Sequence, residues 1–138
     1  QLVYWMNRDI IDDYPLDLIS PVDWTDETQN INDRVRSYLD VNCGHCHSPT
    51  GNANSTGLYL HLNETRDIHL GVNKKPVATG RGSGGMKYSI VPGKPEESIL
   101  LHRMISLDPG VMMPESGRAL SHTEAVDMVR SWILLMKE

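Results

Sequence analysis

The chain holds only two cysteines, and both fall within one five-residue segment that restricts what the chain can fold around. Cys43 and Cys46 are three residues apart, and His47 follows directly. Two thiols at this spacing near a helix end can reach the two vinyl groups of one porphyrin, and the adjacent imidazole can then bind the iron. The pattern Cys-x-x-Cys-His therefore predicts one covalently attached haem c.

A helix is predicted directly before this motif. Apolar side chains recur at helical spacing across residues 31–39, and Asn30 or Asn32 can cap the first turn. Beyond the motif, Leu58, Leu60 and Leu62 alternate with other residues in a stretch rich in Gly and Asn. This alternation indicates a short extended segment between the first and second helices.

Two further helices are predicted in the second half of the chain. The first runs from Pro95 or Glu96 to about Ser106, because proline suits a first turn and glutamates favour the positive end of a helix. The second begins near Ser121, where Glu124 three residues later completes a capping box. Its apolar stripe comprises Ala125, Met128, Val129, Trp132, Ile133 and Met136.

The order of these features resembles the monohaem, class I-like c-type cytochromes over roughly residues 31–138. Met112-Met113-Pro114, followed by the last helix, is similar to the distal-methionine loop of that family. Residues 91–100 are similar to a segment in cytochrome c-like domains attached to large secreted bacterial proteins. The resemblance implies an all-α, cytochrome c-like fold, with three or more helices packed around one covalent haem and an irregular N-terminal extension.

The resemblance also implies an assignment for each residue of the site. Carried over by position, Cys43 and Cys46 form thioethers to the haem, His47 is the proximal iron ligand and Met113 is the distal one. Met112 competes for the distal position, although the family places its ligand directly before a proline. Four histidines could also ligate the iron, but each is more simply interpreted as a loop or surface residue. They are His61, His69, His102 and His122.

One feature of the family is missing from the sequence. Many class I cytochromes use the carbonyl of a downstream proline to accept the second N–H of the proximal histidine, and no proline lies between Pro49 and Pro76. Ligating histidines nearly always donate that N–H to some acceptor. We therefore expect a backbone carbonyl near Gly57 or Leu58 to take this role.

The function implied by the resemblance is one-electron transfer through an exposed haem edge. We expect an electron carrier and not an enzyme, with a transient redox partner protein or domain docking over a small patch. Whether it serves a fused or a separate oxidoreductase stays open. The family's haem attachment outside the cytoplasm implies a periplasmic or cell-surface location, and a domain of a larger exported bacterial redox protein.

Three different functions compete with this interpretation. Cys-Gly-His-Cys is also the active motif of thiol-disulfide oxidoreductases, but a thioredoxin fold needs a buried strand before the motif, where residues 34–41 read as helix. A zinc site made from the motif and a distant histidine lacks a recognisable second ligand pair. A haem sensor or peroxidase with an open distal site requires that neither Met112 nor Met113 binds the iron.

Acidic residues concentrate in residues 1–30, which we interpret as an extension to a cytochrome c domain at residues 31–138. The extension has a net charge of −6, whereas the remainder has a net charge of +1. It also carries half of the eight aromatic residues, namely Tyr4, Trp5, Tyr14 and Trp24. We expect it to pack on the body or a neighbouring domain, or to bridge two copies as a homodimer, although residues 7–13 and 25–30 fit a solvated linker equally well.

Charge and composition exclude several classes of protein. A net charge of −5 argues against nucleic-acid binding, which needs a basic face. The longest apolar runs, at residues 2–6 and 132–136, fall far short of the ~20 residues that cross a bilayer. The segment Gly80–Gly85 matches a dinucleotide-binding pattern, but no helix follows it, so we expect a flexible loop over the haem edge. Because the chain opens on Gln1, we expect it to be a piece of a longer product.

Overall fold

The computed structural model describes residues 1–18 and 20–137, and within these ranges the chain is helical and forms no strand. This agrees with the predicted all-α class. The α-helices are α1 (Leu2–Met6), α2 (Ile31–Leu39), α3 (Asp67–Leu70), α4 (Ile99–Ile105) and α5 (Thr123–Leu135). A π-helical turn at Asp40–Gly44 continues directly from α2, and 3₁₀ turns lie at Asn54–Thr56, Gly80–Ser83 and Pro95–Glu97. No helix in the described ranges has the length and apolar character that crossing a bilayer requires.

Helix α2 begins at one of the two residues predicted to cap it. The Asn30 side chain accepts a hydrogen bond from the backbone N–H of Asn32 at 2.8 Å, which satisfies one of the unpaired donors of the first turn. The second half of the helix, Val35–Leu39, is buried. The last turn of α2 is therefore buried in the core where the chain continues into the π-helical turn.

Helix α5 confirms the predicted apolar stripe from Ala125 to Ile133, but Met136 lies just after the helix and is only partly buried, and the predicted capping box does not form. Its N-cap is His122, which makes no side-chain capping bond, and the Ser121 hydroxyl donates instead to the carbonyl oxygen of Met104 at 3.2 Å. The prediction of this cap was wrong because the Ser121 hydroxyl, which the cap needs, bonds instead to a residue in a distant segment. The buried side chains of the helix are Ala125, Val126, Met128, Val129, Trp132 and Ile133.

The helix predicted from Pro95 to about Ser106 is divided at Ser98. Residues Pro95–Glu97 form a 3₁₀ turn, and the extended backbone of Ser98 separates this turn from α4. The Ser98 hydroxyl donates to the carbonyl oxygen of Lys94 at 3.0 Å and accepts from the N–H of Val91 at 2.9 Å. A buried serine that bonds to the backbone in this way competes with continuous helix.

The long stretch between α2 and α4 is mostly irregular. The alternating leucines form no strand, although Leu60 is buried and its N–H donates to the carbonyl oxygen of His47 at 2.7 Å. The only β-type pairing in the described residues consists of two isolated parallel bridges, Val72 with Ile90 and Tyr88 with Ser98. The predicted extended segment is therefore anchored by single contacts and not by a sheet.

The core forms where α2 and α4 both pack against α5. The Trp132 indole N–H also donates to the Asn32 side-chain oxygen at 3.1 Å, which links the start of α2 to the end of α5. The buried cluster comprises Val35, Tyr38, Leu39, Leu60, Ile90, Leu101, Met104, Ala125, Val126, Met128, Val129, Trp132 and Ile133.

The N-terminal extension contacts this core through Trp24. Its ring lies edge-on to Tyr38 and to His122, with ring centroids 5.4 Å and 5.1 Å apart. The Trp24 carbonyl oxygen accepts a hydrogen bond from Arg34 Nε at 2.8 Å. The expectation that the extension packs on the body therefore holds at Trp24, whereas α1 buries none of its residues.

Two neighbouring residues of α5 provide a direct test of this packing. Ile133 has no solvent exposure, whereas Leu134 is 60% exposed. Replacing Ile133 with Ala should lower the free energy of unfolding by about 2–5 kcal/mol, because it removes buried methyl groups and leaves a cavity. The matched change Leu134→Ala should alter it by less than about 0.5 kcal/mol. Urea denaturation of both variants measures the difference, and equal effects would contradict the helix orientation.

Candidate functional site

The turn that follows α2 brings the three residues of the Cys-x-x-Cys-His motif together. The carbonyl oxygen of Cys43 accepts hydrogen bonds from the N–H of Cys46 at 3.1 Å and from the N–H of His47 at 2.8 Å. The chain thus turns tightly around one carbonyl group, which places Cys43, Cys46 and His47 on a single turn.

The two thiols occupy different environments. Cys43 packs against the hydrophobic core, and this burial raises the pKa of its thiol to about 12, with the neighbouring Cys46 raising it further. Cys46 is partly exposed. A buried thiol stays protonated at neutral pH, so Cys43 is a poor free nucleophile in this environment.

The His47 imidazole has one nitrogen that is buried without a hydrogen bond. That atom is Nδ1, which is shielded from solvent and finds no partner among the described residues. Burial lowers the pKa of His47, and a backbone contact with Leu58 opposes this effect. Leu58 lies within the segment in which the sequence predicted an acceptor for this histidine.

The predicted distal loop is tied to the end of α4. The N–H of Met113 donates to the carbonyl oxygen of Arg103 at 3.0 Å, and Arg103 Nε donates to the carbonyl oxygen of Val111 at 2.8 Å. Further along the loop, the Arg118 guanidinium donates to carbonyl groups at the end of α4, including that of Met104. These reciprocal bonds hold both sides of the loop.

The distal loop and the motif are electrostatic neighbours. The charges of Arg103 and Glu115 act on the pKa of His47, the first lowering it and the second raising it, after the larger effects of burial and Leu58. Tyr38 connects the same two regions, since its pKa is raised by burial and by Cys43 and lowered by Arg118. The charged residues that flank Met113 therefore contribute to the electrostatic environment of the motif and of Tyr38.

The structure leaves the two methionines similar in burial. Met112 and Met113 are both partly buried. The N–H of Met112 donates to the carbonyl oxygen of Asp108 at 2.8 Å, so this residue is also held in place. The choice between them accordingly stays a prediction that rests on the proline after Met113.

Two of the four histidines considered as distal ligands flank one tyrosine. His69 lies in α3 and stacks on Tyr59, with ring centroids 4.8 Å apart, and the ring of His61 lies 6.4 Å from the same tyrosine. The Nδ1 atoms of both histidines are buried without a hydrogen-bond partner.

The remaining two, His102 and His122, pack against different parts of the body. His102 lies on α4, where Gly84 approaches its ring so closely that a side chain on Gly84 would collide with it. The His122 ring is about half exposed but packs against Trp24, and its Nδ1 lies 3.1 Å from the Tyr38 hydroxyl. The sequence predicted His122 as a solvent-facing residue of the first turn and missed this contact.

No sequence pattern signals the polar contacts of the loop that follows the motif. Glu64 has a side chain only 3% exposed, and its carboxylate accepts hydrogen bonds from Arg66 Nε at 2.8 Å and Arg66 Nη2 at 2.7 Å. It also accepts backbone N–H groups from Thr65 and Arg66. An acid followed two residues later by a base is too common a pattern to predict such a site.

Comparison of the chain with protein-family models, with curated proteins and with solved structures gives no match. The described residues also bring together no group of three or more His, Cys, Asp or Glu side chains suited to hold a metal ion.

The Glu64 contacts predict how stability depends on pH. Hydrogen bonds from Arg66 lower the pKa of Glu64 from 4.5 to about 2. A carboxyl group whose pKa is lower in the folded state stabilises the fold above its unfolded pKa, and this contribution is lost as pH falls through the folded pKa. Glu64→Gln should therefore lower the free energy of unfolding at neutral pH.

The destabilisation by Glu64→Gln should shrink as pH falls from about 5 toward 2. Urea denaturation at a series of pH values measures it. The control is Glu27→Gln, which changes an exposed carboxylate. A destabilisation that is the same at every pH would show that the charge of Glu64 contributes nothing.

Proposed function

We propose that this chain is an electron-transfer protein of the cytochrome c type. It carries one haem c attached through Cys43 and Cys46, with His47 and Met113 as the axial iron ligands. The observation that carries the proposal is the single tight turn after α2, in which the carbonyl oxygen of Cys43 accepts the N–H groups of Cys46 and His47.

The state of the His47 imidazole supports the assignment of a proximal ligand. An iron ligand must offer one nitrogen to the metal, and its other nitrogen needs a hydrogen-bond acceptor. Nδ1 of His47 is buried without a hydrogen-bond partner, and the backbone of Leu58 acts on the pKa of the ring. A backbone group of Leu58 is therefore available as the acceptor that a ligating His47 needs.

Exposed apolar side chains on the segments that bound the site also support haem. Val41 in the π-helical turn is 65% exposed, and Leu120 beyond the distal loop is 77% exposed. Ile105 and Leu107, at and just after the end of α4, are also exposed. Exposed apolar groups around a site favour an apolar ligand, and the faces of a porphyrin are apolar.

When bound, the haem supplies one-electron chemistry by cycling its iron between Fe(II) and Fe(III). The chain contributes a soft thioether sulfur from Met113, which favours Fe(II), and an imidazole from His47. If Met113 and His47 both bound the iron, they would exclude small molecules from the metal. These residues thus favour electron transfer over catalysis at an open iron.

The environment of Cys43 disfavours the competing thiol-disulfide function. Attack on a disulfide needs a thiolate, and burial raises the pKa of Cys43 to about 12. A thioredoxin fold also needs a strand before the motif, whereas α2 and the π-helical turn precede it here. A sensor or peroxidase would need an open distal side of the iron. Arg103 and Arg118 hold the loop of the proposed distal ligand in position, which disfavours such an open side.

The proposal includes the setting in which such a protein works. Covalent haem attachment outside the bacterial cytoplasm implies a periplasmic or cell-surface location. A redox partner protein or domain would dock weakly, because transient electron-transfer complexes bury small interfaces.

Covalent haem is tested by producing the chain as an exported protein in cells competent for haem attachment. The denatured wild type should stay red and have a mass one haem above that of the polypeptide. Double replacement Cys43→Ala with Cys46→Ala should abolish both signals, since the thioether bonds are then lost. A colourless wild-type chain with disulfide-exchange activity would support the oxidoreductase function instead.

The distal ligand is tested separately with two matched variants. Met113→Ala should abolish the weak red-end absorption band of methionine-ligated ferric haem, whereas Met112→Ala should retain it. Absorption spectra of the two oxidised proteins make the comparison. Loss of the band in Met112→Ala alone would assign the ligand to Met112, and absence of the band from the oxidised wild type would exclude methionine ligation.

A further inference from the structure

Two side chains one helical turn apart connect α2 to the loop of residues 58–64. Arg36 Nη2 donates to the carbonyl oxygens of His61 at 2.9 Å, Leu62 at 2.9 Å and Glu64 at 2.8 Å. Asp40 Oδ1 accepts the backbone N–H of Leu62 at 2.7 Å. Because Arg36 is only 9% exposed, these charge-assisted bonds lie in the interior, where they are strong.

The same loop packs tightly against the turn that carries the motif. A Cβ added to Gly44 would lie 3.2 Å from the Cα of His61 and 3.2 Å from Asp40 Oδ1, which leaves no room for a side chain without displacement. The loop also donates the N–H of Leu60 to the carbonyl oxygen of His47 at 2.7 Å. Movement of the loop would therefore move groups in direct contact with His47.

We infer that Arg36 and Asp40 are positioning residues that hold loop 58–64 against the motif, and thereby set the orientation of His47 and the reduction potential of its iron. This inference rests on the proposed haem function. We call these two residues the loop clamp. Neither touches the imidazole, and both act through the backbone of the loop.

The sign of the effect follows from the hydrogen bond to the proximal ligand. A well-placed acceptor for the second N–H of a ligating imidazole increases the basicity of the ligand. A more basic ligand stabilises Fe(III) over Fe(II) and lowers the reduction potential. Loosening the clamp should let the backbone of Leu58 and Leu60 move away from His47, so that an acceptor is no longer held at the imidazole, and should thereby raise the potential.

Two substitutions of Asp40 separate positioning from simple charge. Asp40→Asn removes the negative charge but keeps an oxygen that can accept the N–H of Leu62, whereas Asp40→Ala removes both. The Coulomb effect of the lost carboxylate raises the potential equally in the two variants. Any additional rise in Asp40→Ala therefore reports the lost hydrogen bond.

The Arg36 contacts allow an independent comparison within the same helix. Arg36→Met removes a positive charge and three contacts to the loop, and Arg34→Met removes a positive charge whose contact is to Trp24. Loss of a positive charge alone lowers the potential. A higher potential in Arg36→Met than in Arg34→Met is the result expected from the lost loop contacts, because Arg36 contacts the loop and Arg34 contacts Trp24.

The experiment measures hydrogen exchange and reduction potential in the full haem-loaded chain. Asp40→Ala should speed exchange of the Leu62 amide by about tenfold or more over Asp40→Asn, because its acceptor is gone. The ratio of ferrous to ferric protein at a fixed ambient potential should be about threefold higher in Asp40→Ala than in Asp40→Asn. Arg36→Met should show a higher ratio than Arg34→Met.

Equal ratios in Asp40→Ala and Asp40→Asn would overturn the inference while leaving the proposed function intact. So would an Arg36→Met protein whose potential is no higher than that of Arg34→Met. A wild-type chain that acquires no covalent haem under maturation conditions would overturn the proposed function and this inference together, and its mass distinguishes that outcome from the first two.

Discussion

The packing of α2 against α5 is the contact on which the candidate site depends. Val35 and Leu39 on α2 belong to the same buried cluster as Val129 and Ile133 on α5, and all four side chains are at most 1% exposed. Burying such side chains stabilises each by about 1.5–3 kcal/mol relative to an exposed position. The π-helical turn continues α2 without a break. The contact between α2 and α5 therefore also fixes the backbone position at which the Cys-x-x-Cys-His motif starts.

The second half of the candidate site depends on the same helix. α4 packs against α5, and the carbonyl groups at the end of α4 receive hydrogen bonds from Met113, Arg118 and Ser121. The segment with the proposed proximal ligand and the segment with the proposed distal ligand therefore both depend on α5 for their position. Such a common support keeps two ligands on different segments at a constant separation, as a rigid metal site requires.

The sequence predicted features that depend on neighbouring residues, but it did not predict contacts between residues that are far apart in the chain. The start of α2 and the buried stripe of α5 follow from capping and periodicity, which a short segment contains in full. Ser121 and Ser98 carried equally regular local signals, but their hydroxyls bond to other partners in the folded chain. The loop clamp had no local signal, because Arg36 and its three acceptors are about 25 or more residues apart.

The irregular loop beside the motif explains why the core tolerates buried charge. Carbonyl groups removed from water must find donors, and a loop without sheet or helix cannot supply them from its own backbone. Arg36 satisfies three such carbonyls, and Asp40 and Glu64 accept N–H groups from the same region. The cost of desolvating these charges is thus offset by bonds that helices and sheets ordinarily make between backbone groups. Since these bonds need specific geometry, they hold the loop against the motif, as the proposed ligation of iron by His47 would need.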